Sequence, residues 1–425
     1  MIPTTDIVAN GTPTGWRTVP FWSLFRREKK TGFPEEELLS VYRDYGVIPK
    51  SSRDDNHNKE SEDLSGYQLV TEGALVTNKM KAWQGSIAIS RYQGIVSPAY
   101  YVYTPQSKEW DQFLHYLLRS DPYIGLYGRI SKGVRVNQWD LEHEALRNIP
   151  VLLPDLATQR QIADFLDRET ARIDLLIEKK QRLVALLGEK WNAQISRAIA
   201  VDRHPSHRLK HLIRIGSSIS YGIVQPGDPV DEGVPFIQTA NLVQRRLDRD
   251  ELPRTLPEIA AKYPRSKLSP GDVLLGIRAS IGQSVVVGED LDGANLSRGI
   301  AKITPSNTVM PEFLCLVLES KETAEFWTQV QQGTTFREIS IESVRELPVP
   351  VPEFVVQEKI CRDVRNMRAC YEKLLSKNER SIDRLKEYRS ALITAAVTGQ
   401  IDVKTYTKSG TPDRRLDAIQ EEIGA

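Results

Sequence analysis

Among the residues able to hold a phosphate, a cofactor or a metal, none stands at the spacing such chemistry requires. The chain has no Gly-Lys dipeptide, so the phosphate-cradling loop Gly-x-x-x-x-Gly-Lys-Ser/Thr is absent. It has no Gly-x-Gly pair, the arrangement that lets backbone approach a nucleotide or an adenosyl cofactor. Asp121-Pro122-Tyr123 is one proline short of the Asp/Asn-Pro-Pro-Tyr/Phe signature of adenine methyltransferases and reads as an Asp-Pro turn ahead of an aromatic. His204, His207 and His211 cluster, but zinc needs a further ligand or an open water position in defined geometry, and linker polarity accounts for them. Carboxylates are scattered, with no pair resembling a nuclease site. Cys315, Cys361 and Cys370 lack metal-like spacing and suit packing roles in a reducing compartment. Neither catalysis nor a metal site is expected of this chain.

Composition is equally restrained. The 57 Lys and Arg nearly cancel 56 Asp and Glu, leaving a net charge of +1. Nucleic-acid binders often owe affinity to phosphate neutralisation, so DNA binding here would need local basic patches or basic partners. At 425 residues, two or more domains are expected. No apolar run reaches the length of a membrane span, and Met1-Ile2-Pro3-Thr4-Thr5-Asp6 is not a basic region followed by a hydrophobic stretch; a cytoplasmic protein with no membrane partner is expected.

The elements that would position a binding surface come in two copies. Leu146-Arg147-Asn148-Ile149-Pro150-Val151-Leu152-Leu153-Pro154 matches Val344-Arg345-Glu346-Leu347-Pro348-Val349-Pro350-Val351-Pro352 at an offset of 198 residues. Gly73-Ala74-Leu75-Val76 matches Gly271-Asp272-Val273-Leu274 at that offset, while Ser97 to Pro105 and Ser297 to Pro305, like Gly133 and Gly333, match at 200. Short β-rich runs punctuated by Gly, Pro, Asn and Ser give each globular part a mixed α/β character.

A long helix follows each globular part. A three-four spacing picks out Ile162, Leu166, Glu169, Ile173, Leu176, Lys180, Leu183, Leu187, Trp191, Ile195 and Ala198, and adding 198 carries the stripe through Ile360, Val364, Met367, Tyr371, Leu374, Asn378, Ser381 and Leu385 to Ala396. Thr158 with Gln161 reads as a capping box, and Gly399 as a C-terminal stop. Each helix would run about 60 Å. One apolar stripe on so long a helix needs a partner, and an antiparallel pairing of the two copies supplies it. Lys180 and Asn378 occupy equivalent positions in the stripes, either fixing register or pointing outward.

This order of blocks resembles the specificity subunits of Type I restriction-modification enzymes over residues 16 to 403. The resemblance rests on Trp16-Arg17-Thr18-Val19-Pro20 and His207-Arg208-Leu209 at the two domain starts, and on the proline hinges at Pro150 to Pro154 and Pro348 to Pro352. It rests also on Gln159-Arg160-Gln161-Ile162 with Gln357-Glu358-Lys359-Ile360, and on Ala395-Ala396-Val397-Thr398-Gly399. It implies an α+β fold with a pseudo-two-fold internal repeat. Two target-recognition domains (1–155 and 204–353) would be separated by two long antiparallel helices (156–203 and 354–403) forming a coiled-coil spacer, followed by a tail (404–425). It further implies a non-catalytic subunit that reads a bipartite target in double-stranded DNA. Its partners would be two modification subunits, which carry S-adenosylmethionine and methylate adenine, and up to two restriction subunits that use ATP and Mg2+. Helix length would set the spacer between half-sites.

Reading bases takes donors and acceptors on loops, with basic and hydroxyl groups on phosphates. The candidates in the first domain are Lys50, Ser51, Arg53, Lys79, Lys81, Gln84, Arg129, Lys132 and Arg135. In the second they are Gln238, Thr239, Asn241, Arg278, Ser280, Asn295, Ser297, Arg298, Thr334 and Thr335. Trp83 and Tyr221, beside strands, are expected in the core. Two other readings stand beside this one: the specificity module of a Type IIB-like or phase-variable system, and a coiled-coil scaffold that binds only protein.

Overall fold

The computed structural model describes residues 7, 11–53, 61–135, 138–199, 204–244, 247–331 and 337–408. The duplicated sequence folds as duplicated topology. In the first repeat a four-stranded antiparallel sheet runs Phe25–Arg27, Tyr100–Pro105, Leu75–Asn78, Ile87–Ile89. The second repeats the order with Ser220–Tyr221, Ile300–Ile303, Val273–Gly276 and Ser284–Val286. Registers correspond as well, Leu75 facing Tyr103 and Val273 facing Ile303.

Both central strands, Leu75–Asn78 and Val273–Gly276, are buried almost throughout because both of their faces are covered. Alternate side chains of a strand leave on opposite sides. Leu75 joins the core beneath the helices whereas Val76 joins a separate cluster with Val41, Val47 and Val102. Val273 and Leu275 likewise divide from Leu274. The domains differ in what they add. The first has the hairpins Leu39–Tyr42 with Gly46–Pro49 and Ser131–Arg135 with Gln138–Leu141, and the second has a sheet in which Val234–Ile237 pairs in parallel with Asn295–Leu296.

The proline-flanked segments expected as hinges are strands. Pro150–Leu153 pairs antiparallel with Arg17–Pro20, and Pro348–Pro350 with Ser206–Arg208, so each repeat closes on its own first residues. The Asp121-Pro122-Tyr123 segment is a helix start rather than a turn, with proline tolerated in the first turn of Asp121–Arg129. Tyr123 is wholly buried; its hydroxyl donates to the Pro150 carbonyl at 3.1 Å and accepts from the Leu152 amide at 3.2 Å, which ties that helix to the closing strand.

Two helices of 44 residues each, Leu156–Ile199 and Phe354–Val397, follow the closing strands. The first is capped three residues before the expected box: Asp155 Oδ1 accepts the amides of Ala157 and Thr158 at 2.9 and 3.0 Å, and the Thr158 hydroxyl donates to the other Asp155 oxygen at 2.7 Å. Gly399, at φ +71°, ends the second helix in the left-handed conformation that glycine adopts freely.

Contacts divide the chain into two compact units, residues 1–181 with 378–425, and residues 182–377. Each unit joins the beginning of one long helix to the end of the other. In the first, Ile162, Leu166 and Ile173 share a core with Leu385, Leu392 and Ala396, and Arg389 grips Asp174 at 2.8 and 3.1 Å. In the second, Trp191 stacks on Tyr371 at 4.9 Å, and Ile195 and Ile199 pack in one core with Cys361 and Val364. Of the polar pair in the stripes, Asn378 is buried and Lys180 partly so, burial lowering the pKa of the lysine; neither points freely outward. Leu183 and Leu374, assigned to the stripes, are instead 43% exposed. At about 100° per residue, Leu183 lags Ile162 by about 60° around a straight helix. Cys361 is buried, Cys315 partly so, and Cys370 exposed, so packing does not explain Cys370.

His115, beneath the turn of the first hairpin, gives this fold a pH dependence. Burial, then the positive charges of Arg119, Arg91 and Arg389 around it, pushes its pKa down to about 3, against a backbone hydrogen bond to Ile89. A histidine with a depressed native pKa is bound neutral, so the unfolded chain takes up the proton first and stability falls as pH drops below about 6.5. Between about pH 7 and about pH 5 the expected loss is about 1–2 kcal/mol, the lower figure reflecting the ring's partial solvent contact. Urea unfolding of the wild type and of His115→Gln at both pH values measures it; an equal pH dependence in the variant would assign the loss to other groups.

Candidate nucleic-acid interface

In the first domain two of the candidate segments meet. The Leu141 amide donates to the Lys79 carbonyl at 2.9 Å, which fastens the hairpin Ser131–Arg135/Gln138–Leu141 against the loop that leaves the central strand. Trp83 of that loop stacks on Trp139 of the hairpin, centroids 5.2 Å apart and planes 28° from parallel, while its indole N–H donates to the Met80 carbonyl at 3.2 Å. Lys79, Lys81 and Gln84 are thereby set beside the hairpin that carries Lys132 and Arg135. Lys132 is exposed and holds Glu142 at 3.1 Å.

The remaining candidates of this domain sit on other elements. Lys50 and Ser51 lie in the single turn Lys50–Ser52 after the first hairpin, and Arg53 lays its guanidinium over the rings of Tyr45 at 4.6 Å and Tyr42 at 5.5 Å. Arg129 is exposed at the end of its helix.

In the second domain convergence is closer. The Ser297 amide donates to Ile237 O at 2.9 Å, bringing Ser297 and Arg298 beside the segment Gln238–Asn241, where the Gln238 amide donates to Asn241 Oδ1 at 2.9 Å. The carbonyl of Gly299 accepts the amides of Ile277 at 3.0 Å and Arg278 at 3.3 Å. A Cβ at Gly299 would lie 2.5 Å from Thr239 Oγ1 and 3.7 Å from Arg278 Cβ, so only glycine lets these three segments come so close. Gln238, Thr239, Asn241, Arg278, Ser297 and Arg298 thus come together from three separate stretches.

Two candidates prove to be interior. Asn295 is 2% exposed, its Oδ1 accepting from Ser266 Oγ at 2.6 Å and from the Leu296 amide at 2.9 Å. Ser280 is 4% exposed, folded into the turn after the central strand. Both answer the rule that buried polar groups find partners, and neither can reach a base edge. Thr334 and Thr335 lie outside the described residues.

Sequence reasoning placed Trp83 and Tyr221 in the core and did not single out Trp139. Tyr221, assigned to the core, is 51% exposed, and the Arg298 amide donates to the carbonyl of nearby Ile223. Trp139 is 39% exposed beside Lys79 and Lys132, and Trp83, also assigned to the core, is only partly buried under it. An aromatic inside a polar-basic loop was the available signal, since ring faces take sugars and bases as readily as core neighbours. Among the described residues no group of His, Cys, Asp and Glu is placed to hold a metal ion, and no helix is long and apolar enough to cross a membrane.

Comparison with known proteins points to one family. The family model for the Type I restriction modification DNA specificity domain matches residues 13–185 and 230–372. The EcoBI Type I restriction enzyme specificity subunit of Escherichia coli is 23% identical over 286 residues, 61% of this chain and 60% of that protein. The HindI specificity subunit of Haemophilus influenzae is 33% identical over 133 residues, 30% of this chain and 28% of that protein. The chain thus spans less than two thirds of the length of these relatives. A solved chain, described as giving the structural basis of complex assembly and conformational transition of the type I R-M system, covers 92% of this chain and is itself covered completely, with a TM-score of 0.61 at 18% identity, a likeness of fold. Duplicated four-stranded sheets, each in a repeat closed by a proline-flanked strand and followed by a 44-residue helix, agree with a family match that falls on both repeats, and the chain belongs to the Type I restriction modification DNA specificity domain family.

Proposed function

We propose that this chain is the non-catalytic DNA-recognition subunit of a Type I restriction-modification complex. The observation that carries the reading is the gathering, after the equivalent central strand of each repeat, of a basic and hydrogen-bonding loop cluster: Lys79, Lys81 and Gln84 with the Lys132 hairpin in one, Thr239, Arg278, Ser297 and Arg298 in the other. Because the clusters differ in sequence, each would read a different half of a bipartite target, with most contacts going to phosphates and a minority to base edges. Local patches of this kind reconcile DNA binding with a net charge of +1.

The long helices would act as an antiparallel coiled-coil spacer. Supporting this, each unit packs the beginning of one long helix against the end of the other. Their outward faces would dock two modification subunits holding S-adenosylmethionine, and up to two restriction subunits driven by ATP and Mg2+ would complete the assembly.

Incubated alone with S-adenosylmethionine and DNA, the purified chain is expected to transfer no methyl group. Together with its modification subunit it should direct adenine methylation to one bipartite sequence, read out by methylome sequencing. Methyl transfer by the isolated chain, or methylation at a continuous site, would overturn the proposal.

A further inference from the structure

Within the second loop cluster one cation is already occupied. Arg278 follows the central strand in a turn whose next residue, Ala279, has φ +51°, the one positive φ outside glycine among the described residues. Alanine adopts that conformation only at some energetic cost, so the turn is held by its surroundings. A Cβ at Gly276 would fall 2.2 Å from the Ser280 carbonyl oxygen, and the Gly282 amide donates back to Gly276 O at 3.1 Å. The Arg278 backbone is fixed further by its bond to Gly299 O and by an isolated antiparallel bridge to Glu338.

Its side chain meets that same glutamate. Arg278 Nη2 straddles the Glu338 carboxylate at 2.6 and 2.5 Å, the two side chains being 35% and 41% exposed. This is an end-on contact that does not use the guanidinium's side-by-side fork, and Nε is buried with no partner among the described residues. A phosphate, or the O6 and N7 edge of a guanine, offers two acceptors in the fork's plane and satisfies Arg better than this contact does. Glu338, meanwhile, repels any phosphate brought near it.

Resting on the reading of this surface as DNA-facing, we propose that Glu338 is a specificity-determining residue that competes with DNA for Arg278. On a non-cognate duplex, Arg278 stays on Glu338 and the carboxylate opposes the phosphates; on the cognate half-site a correctly placed pair of acceptors draws Arg278 away. Building repulsion against wrong partners in this way raises discrimination at some loss of affinity.

The test uses the full chain assembled with its modification subunit, a labelled random-sequence duplex, and the duplex that the wild type selects from a randomised pool. Glu338→Gln should tighten binding to the random duplex about fivefold and steepen its log–log salt dependence by roughly one, because a freed arginine neutralises one more phosphate. The selected duplex should gain less, so the ratio between the two falls. In an Arg278→Gln background, where only the carboxylate's own repulsion is left to relieve, Glu338→Gln should tighten the random duplex no more than about twofold. Equal tightening in that background would reduce Glu338 to a diffuse repulsive charge and overturn the competition, as would an unchanged random-duplex affinity in the single variant. A wild-type complex that binds neither duplex would overturn the DNA reading itself.

Discussion

Reversing the charge of Lys79 and Lys81 together is expected to weaken duplex binding about a hundredfold at moderate salt, since each lost phosphate contact and added repulsion contributes roughly a factor of ten. The effect should be sequence-tolerant and should flatten the salt dependence by roughly two charges, as befits groups that position the domain on the backbone rather than read it. The fold should be indifferent. Lys81 is exposed, and the structural bonds of Lys79 are those of its backbone, the amide to Ala99 O and the carbonyl from the Leu141 amide. Fluorescence anisotropy across a salt series, beside a urea unfolding curve, separates the two. Affinity lost without a change in salt slope would place these lysines away from the phosphates.

Replacing Gln357 by leucine is the second large effect, about 3 kcal/mol or more of stability. This glutamine is wholly buried in the first turn of the second long helix. Its Oε1 accepts the Met310 amide at 2.8 Å, and its Nε2 donates to the carbonyls of Thr308 at 2.9 Å and Pro352 at 2.8 Å. Leucine fills much of the volume but leaves one amide and two carbonyls without partners in the interior, at about 1–3 kcal/mol apiece where water cannot enter. Gln159 repeats the arrangement in the first domain, accepting from the Trp110 amide at 2.9 Å and donating to Pro154 O at 3.0 Å and Glu109 Oε2 at 2.6 Å. The clamp joins each long helix to the globular part before it, so, on the proposed function, loosening it should also lower methylation in the assembled complex. A midpoint shift in urea equivalent to less than about 1 kcal/mol would show that the freed groups find other partners.

The importance of these two glutamines was half visible beforehand. They stood out as repeat partners 198 residues apart, yet nothing in a helical heptad says that a polar residue near its start turns inward to collect backbone groups, three at Gln357 and two at Gln159. Asp155 was likewise overlooked as a cap because the following Thr158 and Gln161 satisfy a well-known spacing, whereas the carboxylate three residues earlier takes both amides.

The loop candidates divide on the same line. Composition marks Asn295, Ser297 and Arg298 as equally polar and equally able to meet a base. Only the parallel pairing of Asn295–Leu296 with Val234–Ile237 decides that Asn295 turns inward to Ser266 while Ser297 and Arg298 emerge beside Thr239. Tyr221, expected in the core, goes the opposite way: it stands on an edge strand of its sheet and is half exposed.

By itself the sequence determined the two-fold internal repeat, the β-rich runs that become the central strands, and the presence and length of both long helices, because these follow from periodicity and propensity carried by neighbouring residues. Which polar loops share one surface, which helix halves complete each core, and where Arg278 finds Glu338 were decided by tertiary structure. Those pairings join residues dozens to hundreds of positions apart, and a side chain's chemistry is the same whether the fold turns it toward solvent or toward a buried carbonyl.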